Sequence, residues 1–424
     1  MAIDFAQWRG AESLLDATGT VHRGWRAVLA SVLCLALGPS VILLMCFGVF
    51  VPVLHREFGW SIGAISFGAT IISLAIMFLS PVQGYLVDRF GSRAVMLVSI
   101  PLFGAGVGLL HFLPGDIRVF YAACVLLPVL GIGVWPLSFM RLISTWFDRR
   151  LGLALGVTNV GAGLGAAVLP LVLGHVFQQH GWRAAYALLG SMVLLVIWPL
   201  ATLFIRESSS VAGSSPGRTA LATSNGLSLS EVIRERPFWT LCFTFFLLGI
   251  LSSGLLTHQV NILIDHGLTH QRAIYLQSLL GISSIFGRLV AGWLLDRVRI
   301  SRLMPALLIA AAAGCVIYTA TVPVALLTVS AFIFGVVIGA EFDVLGYAIR
   351  RYQGLRMFGT VYGWIFATFQ LGGAIGVTML GVIRSAAGSY SPGLLVFAAV
   401  CCLAALAFAS FGPYRFAPPE HRPR

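Results

Sequence analysis

The amino-acid sequence predicts an all-α membrane protein with twelve transmembrane helices in two six-helix halves. Composition, the number of apolar runs and an internal repeat lead to this prediction. Of 424 residues, 58% are hydrophobic and only 10% are charged, whereas a water-soluble domain carries about 25% charged residues. Lipid must therefore surround much of the chain, which excludes a soluble enzyme, a disordered chain and a disulfide scaffold.

Apolar runs of the length that spans a bilayer, about 20 residues, recur along the whole chain. We number them spans 1 to 12, at 27–54, 62–87, 94–113, 119–144, 152–178, 184–205, 237–264, 273–295, 303–322, 324–349, 358–383 and 393–412. A polar stretch rich in serine and glycine separates the sixth run from the seventh. The sequence thus predicts an N-terminal half at 1–206, a cytoplasmic linker at 207–236 with a short surface helix near 230–236, and a C-terminal half at 237–424.

The charge distribution predicts the orientation. The formal net charge is +12, and all the basic residues are arginines, in small groups between apolar runs rather than in one patch. With both termini in the cytoplasm, twenty arginines fall on that side and five on the other. The positive-inside rule then predicts that both termini are cytoplasmic, and we expect a multi-pass protein of the cell inner (plasma) membrane. No nucleic-acid partner is expected, because no basic patch is present.

The seven cysteines all lie inside apolar runs and lack metal-ligand spacing. We therefore expect no metal site and no cofactor. Pairs of glycines four residues apart predict close helix approach, and they are Gly104 with Gly108, Gly161 with Gly165, and Gly372 with Gly376.

The two halves repeat. Gly84 and Asp88 lie 208 residues before Gly292 and Asp296. A second set matches at an offset of 207, pairing Arg149, Gly152 and Gly156 with Arg356, Gly359 and Gly363. Two matches at nearly one offset indicate a duplicated six-helix unit, an arrangement by which transporters build a central site.

The segment Gly84-Tyr-Leu-Val-Asp88-Arg89-Phe-Gly91-Ser-Arg93 resembles the loop between helices two and three of the major facilitator superfamily. The resemblance implies that its charged residues pair with neighbouring helix ends and govern opening. The residues it nominates for gating are Asp88, Arg89, Arg93 and, in the partial copy after span 8, Asp296 and Arg297.

Two further stretches are similar to the monocarboxylate porter and oxalate–formate antiporter group of that superfamily. One runs from Trp146 to Gly156, and the other from His258 through Gly287-Arg288 to Gly292. This resemblance implies a small organic carboxylate as substrate. Animal monocarboxylate members have an acid four residues before the span 8 arginine, where this chain has Ser284, so proton coupling through that acid does not carry over.

Four charged residues lie inside predicted spans, and a charge at the bilayer centre costs at least about 2.5 kcal/mol. They are Arg141 on span 4, Arg288 on span 8, and Glu341 and Asp343 on span 10. At about 1.5 Å per residue from the nearest cytoplasmic arginine, they lie about 10–13.5 Å deep. We therefore expect them near the middle of the bilayer, where a substrate site between the repeats is expected.

Arg288 is the predicted anchor for a substrate anion, because guanidinium is always charged and matches a carboxylate; a structural ion pair with an acid of span 10 is the alternative. Glu341 and Asp343 lie about 200° apart around their helix, so they face different neighbours. Burial disfavours a charged carboxyl, so both are candidate proton carriers. Arg141 is either a second anion contact or a partner that keeps an acid ionised.

Other polar residues of the spans complete the predicted site. Histidine side chains titrate near neutral pH, so His258 is either a proton relay or a hydrogen-bonded packing residue. The predicted lining of the substrate cavity also includes Asn159, Tyr347, Tyr362 and Gln370.

The expected function is alternating-access transport of a small organic carboxylate, with proton symport. Two interior arginines and two acids sum to zero, so a monoanion that binds together with one proton leaves the sum unchanged. The alternatives are organic anion exchange and drug or metabolite efflux. An enzyme is not expected, because no nucleophile is paired with a base. The expected partners are a small organic anion, protons and the lipid bilayer, with the monomer as the functional form.

Overall fold

This computed structural model of the chain describes residues 23–208 and 226–416. The chain divides into two compact units, Met1–Ser224 and Asn225–Arg424, here called unit 1 and unit 2. We call the end of each unit that adjoins residues 209–225 its linker end. Most of the predicted linker lies outside the described residues.

The described residues contain twelve apolar spans, as predicted. Ten helical segments are long and apolar enough to cross a membrane, and Ile117–Leu130 is a shorter apolar helix. One of the ten, Leu151–Phe204, contains two spans, because Gly181 has a non-helical backbone at φ 79° and ψ 171°. The chain is therefore a multi-pass membrane protein whose described residues are nearly all helical.

The spans of unit 1 include interrupted helices. Span 1 consists of Arg23–Ala36, a π-helical turn Ser40–Met45 and Phe47–Phe58; span 2 is Ile62–Phe90 and span 3 is Ser92–Leu109. Span 4 consists of Ile117–Leu130 and Pro136–Trp146 with a short turn between them. Spans 5 and 6 share the helix Leu151–Met192, and span 6 continues through Val193–Ile197 and Trp198–Phe204.

The spans of unit 2 are continuous helices. Spans 7 to 12 are Arg236–Asp265, His270–Leu295, Ile300–Ile317, Val324–Tyr352, Phe358–Ala387 and Ser391–Ala409. Local sequence sets several ends. The Thr269 side chain accepts a hydrogen bond from the Arg272 amide at the start of span 8, and Gly388 ends span 11 at φ 71°, a conformation that favours glycine.

A short helix, Leu229–Arg234, precedes span 7 and confirms the predicted surface helix, which ends two residues earlier than expected. Ser228 and Glu231 form a reciprocal capping box at its start. The Ser228 hydroxyl and backbone N–H both donate to the Glu231 carboxylate, and these bonds hold the pKa of that carboxyl below its ordinary value.

Glycines bring pairs of spans into backbone contact, as the glycine spacing predicts. Gly161 of span 5 lies against the carbonyl oxygen of Val32 on span 1, where a Cβ atom would overlap it. Gly376 of span 11 likewise lies against the carbonyl oxygen of Ile250 on span 7, which a Cβ atom would overlap. Larger side chains at these positions would separate the helices and their polar residues.

Candidate functional site

Two buried carboxyl groups of span 10 form the centre of a polar cluster within unit 2. Glu341 is 1% exposed and Asp343 is 0% exposed. The Ser252 hydroxyl of span 7 donates a hydrogen bond to Glu341, and Ser252 is itself buried. Sequence reasoning missed Ser252, because a serine inside an apolar span is common and usually bonds to its own helix.

Arg288 of span 8 adds the positive charge of this cluster. Its side chain is half-buried, and it lies within electrostatic range of both Asp343 and Glu341. Gly339 allows this approach, because it places span 10 against the carbonyl oxygen of Ser284 on span 8, where a Cβ atom would overlap. The structure therefore brings together three of the four interior charges that the sequence identified.

Tyr362 of span 11 is the fourth titratable member. Its side chain is 1% exposed, and it lies within electrostatic range of Asp343. Glu341 thus faces Ser252 on span 7, while Asp343 has a neighbour on span 11, which agrees with their angular separation on span 10. We call Ser252, Arg288, Glu341, Asp343 and Tyr362 the acid–arginine cluster.

A second buried charge cluster lies at the linker end of unit 1. The Arg141 Nε atom of span 4 lies 3.1 Å from the Asp88 carboxylate of span 2, and each residue is 1% exposed. Arg141 Nη1 is also 3.8 Å from Glu207, just after span 6. Charged groups from three places in the unit 1 sequence therefore meet in one site.

Glu207 also caps span 3. The Arg93 backbone N–H donates to Glu207 Oε1 at 3.3 Å, next to the start of a helix, where the dipole favours negative charge. Gly91, at φ 83°, lies directly beneath this carboxylate, and a Cβ atom there would come within 2.8 Å of it. Sequence analysis assigned Glu207 to the linker and missed its role in unit 1, because it lies outside the apolar run.

The buried-charge count from the sequence was wrong in one respect. It ended span 2 at residue 87 and treated Asp88 as part of a loop. The helix continues to Phe90, and Asp88 is buried in its last turn. Arg141 therefore has a counter-charge inside unit 1. The acid–arginine cluster itself contains one arginine and two acids.

The other residues predicted for gating lie at span ends. The Arg89 guanidinium is exposed and donates to the Tyr85 hydroxyl at 2.6 Å. Arg297 folds back on its own helix, where its guanidinium lies 3.9 Å from the centre of the Trp293 ring. Asp296, at the end of span 8, is half-buried.

Four other residues predicted for the substrate cavity have separate surroundings. His258 Nε2 lies 3.1 Å from the Val377 carbonyl oxygen and Nδ1 lies 3.2 Å from the Tyr390 hydroxyl. Asn159 Nδ2 lies 3.4 Å from Met140 Sδ. The Tyr347 ring lies 4.9 Å from the Arg351 guanidinium, and Gln370 is half-buried.

Tyr347 is part of the linker end of unit 2. Its ring lies 6.0 Å from that of Tyr414, and the Tyr414 hydroxyl accepts a hydrogen bond from the Ile300 amide at 2.8 Å.

Among the described residues, no group of three or more His, Cys, Asp or Glu side chains could hold a metal ion.

Two units of apolar helices that bury charge at specific positions define the class of a multi-pass membrane transporter. The sequence model of the Major Facilitator Superfamily matches residues 33–377, so the chain belongs to that family. Bovine (Bos taurus) monocarboxylate transporter 13 is 27% identical over 390 residues, covering 88% of this chain and 85% of the relative. Mouse (Mus musculus) monocarboxylate transporter 11 is 26% identical over 401 residues, covering 89% and 85%.

Solved structures share the fold. The E. coli fucose:proton symporter FucP superposes with a TM-score of 0.66 at 15% identity, covering 91% of this chain and 97% of the symporter. At that identity the likeness concerns the fold alone. The relatives are membrane transporters, and this chain is a transporter rather than an enzyme.

Proposed function

We propose that the chain is a proton symporter for a small organic carboxylate, working by alternating access. The observation that supports this most directly is the composition of the acid–arginine cluster. One guanidinium, Arg288, lies within range of two buried carboxyl groups, Glu341 and Asp343. This cluster can exchange both an anion and a proton.

The empty cluster is neutral with one proton. If both acids are ionised, one positive and two negative charges leave a net charge of −1. An unbalanced charge deep in the membrane costs at least about 2.5 kcal/mol. The empty carrier therefore reorients with one proton, carried by either Glu341 or Asp343.

The loaded cluster is neutral with two protons. A monoanion that binds to Arg288 adds one negative charge, which a second proton on the acid pair cancels. The difference between the two states is one anion and one proton. Neutrality within unit 2 alone thus gives one-to-one symport, without the participation of Arg141 that the sequence-based count required.

The relatives favour the carboxylate as substrate. Two of them carry the name monocarboxylate transporter, and a guanidinium is suited to a carboxylate by its charge and its paired donors. Span 8 has Ser284 in place of an acid one turn before Arg288. We propose that Glu341 and Asp343 on span 10 provide the proton-carrying function instead.

We assign Asp88, Arg141 and Glu207 to gating rather than to substrate binding. Breaking a buried ion pair leaves an uncompensated charge, so these contacts favour one arrangement of spans 2, 3, 4 and 6. Arg89, Arg93, Asp296 and Arg297 lie at the ends of their spans. In this proposal the arginines among them help to fix the orientation of the chain in the membrane. In this proposal both termini are cytoplasmic, the membrane is the cell inner membrane, and the monomer is functional.

Uptake into proteoliposomes tests the proposal. A panel of labelled mono- and dicarboxylates is offered with and without an inward proton gradient, and uptake into protein-free liposomes is subtracted. We expect at least one monocarboxylate to be taken up faster with the gradient. Arg288→Ala should abolish this uptake, whereas Arg272→Ala, which removes an arginine from the start of span 8, should not.

The alternatives give different results in the same vesicles. Organic anion exchange requires an internal anion and is indifferent to the pH gradient. Efflux of a neutral metabolite survives Arg288→Ala. Either result would overturn the symport proposal.

A further inference from the structure

A stack of aromatic rings adjoins the acid–arginine cluster within unit 2. Along span 11, Phe358, Tyr362, Phe366 and Phe369 follow one another with ring centres 6.2, 6.3 and 6.0 Å apart, at interplanar angles of 27°, 24° and 18°. Phe342 of span 10 faces this row, with its ring centre 5.6 Å from that of Phe366 and 5.3 Å from that of Phe369.

The stack and the charges share a residue and a helix. Tyr362 belongs to both groups, since its ring stacks on Phe366 and its side chain lies within electrostatic range of Asp343. Phe342 lies between Glu341 and Asp343 in the sequence. The two acids of the cluster therefore adjoin the aromatic stack.

Two rings of this surface, those of Phe342 and Phe366, are not fully buried. Phe342 and Phe366 are half-buried, as is Arg288, whereas Tyr362 is 1% exposed. The half-buried residues are one arginine and two phenylalanines, and the two acids are fully buried. A ligand with a carboxylate at one end and a planar apolar ring at the other would match these groups.

We propose that the substrate is an aromatic monocarboxylate, with its carboxylate on Arg288 and its ring against Phe342 and Phe366. This inference rests on the proposed function and narrows it to one substrate class. Offset-stacked and edge-to-face ring pairs add attraction beyond the area they bury, so the stack favours an aryl ring over an alkyl chain of similar size.

The test compares two substrate classes in the full-length protein. Protein-dependent initial uptake under an inward proton gradient is measured for phenylacetate and 3-phenylpropionate, and for lactate and pyruvate. The external pH is kept near neutrality, where these acids are ionised and passive entry is slow. We expect kcat/KM to be at least about tenfold higher for the aromatic pair.

Phe366→Leu separates recognition from packing. Leucine retains an apolar side chain but removes the ring, so aromatic uptake should fall about three- to tenfold, with aliphatic uptake unchanged. Phe332→Leu is the matched control, because Phe332 of span 10 likewise pairs with a ring of a neighbouring span, that of Phe286 on span 8, at 5.9 Å. It should leave both classes unchanged.

The outcomes distinguish this inference from the proposed function. Preferential proton-driven uptake of lactate or pyruvate, with sensitivity to Arg288→Ala, would overturn the aromatic class while leaving carboxylate symport intact. An equal loss for both classes in Phe366→Leu would show a packing role and also overturn it. No proton-driven uptake of any acid, either of these two classes or of the wider carboxylate panel, would refute the proposed function itself.

Discussion

Neutralising the two acids of span 10 separately and together tests how the proton is carried. Glu341→Gln retains an acceptor for the Ser252 hydroxyl, which bonds to this residue, and Asp343→Asn is the equivalent change two residues away. If neutrality sets protonation, each single variant is balanced when empty by Arg288 and the remaining acid. It then takes up one proton with each anion, so coupling should survive.

The double variant should lose coupling. It retains Arg288 but has no group that can take up the proton. Substrate alone balances the guanidinium, so transport becomes independent of the proton gradient. The cost of the unbalanced state in the wild type, at least about 2.5 kcal/mol, corresponds to a population about 60-fold below the balanced one. Uncoupled leak in the wild type and in either single variant should therefore be a few per cent or less.

The assay compares two rates in the same proteoliposomes. Counterflow with internal substrate measures binding and reorientation, and initial uptake at one unit of inward pH gradient measures coupling. The double variant should have counterflow but no stimulation by the gradient, while both single variants should be stimulated. Loss of stimulation in Glu341→Gln alone, with counterflow intact, would show that one particular acid carries the proton and would refute the neutrality rule.

Three more predictions concern individual residues. Arg288→Lys retains the charge but loses the paired donors, so KM for the carboxylate should rise about tenfold or more; an unchanged KM would remove Arg288 from the site. Asp88→Asn removes the nearer of the two carboxylates that the described residues place beside the buried Arg141 and leaves only Glu207, 3.8 Å away, so it should destabilise the protein by about 3–5 kcal/mol in thermal unfolding, whereas Glu57→Gln, at an exposed ion pair, should leave the unfolding temperature unchanged. His258→Gln should leave proton-driven uptake intact, because both ring nitrogens lie within hydrogen-bond distance of protein atoms; selective loss of coupling would identify a proton relay.

The spans could be predicted from the sequence because a bilayer demands long apolar runs. Span 7 was expected at 237–264 and is Arg236–Asp265. The breaks within spans 1 and 4 were not predicted, although Pro39 and Pro136 mark them. Hydropathy is insensitive to such breaks, since the apolar residues continue through them.

The site could be predicted only in part. Arg288, Glu341 and Asp343 stood out because charges in apolar runs are rare. Ser252, the partner of Glu341, did not, because hydroxyls occur throughout the spans. Asp88 was misplaced by an error of three residues at the end of one helix, and that error changed the balance of buried charge. Contacts between side chains of different helices depend on packing, which a local sequence pattern does not reveal.

The concentration gradient at which net flux is zero tests one-to-one electroneutral symport most directly. In proteoliposomes with a one-unit inward pH gradient, protein-dependent flux of the carboxylate is measured against opposing anion gradients, with the membrane potential set by potassium and valinomycin. One-to-one electroneutral symport predicts zero net flux at a tenfold anion gradient, both at 0 mV and at about −100 mV. If each cycle moved one uncompensated charge across the membrane, the membrane potential would add about 2.3 kcal/mol per 100 mV to the driving force. A zero-flux point that moves with voltage, or that ignores the pH gradient, would contradict the account.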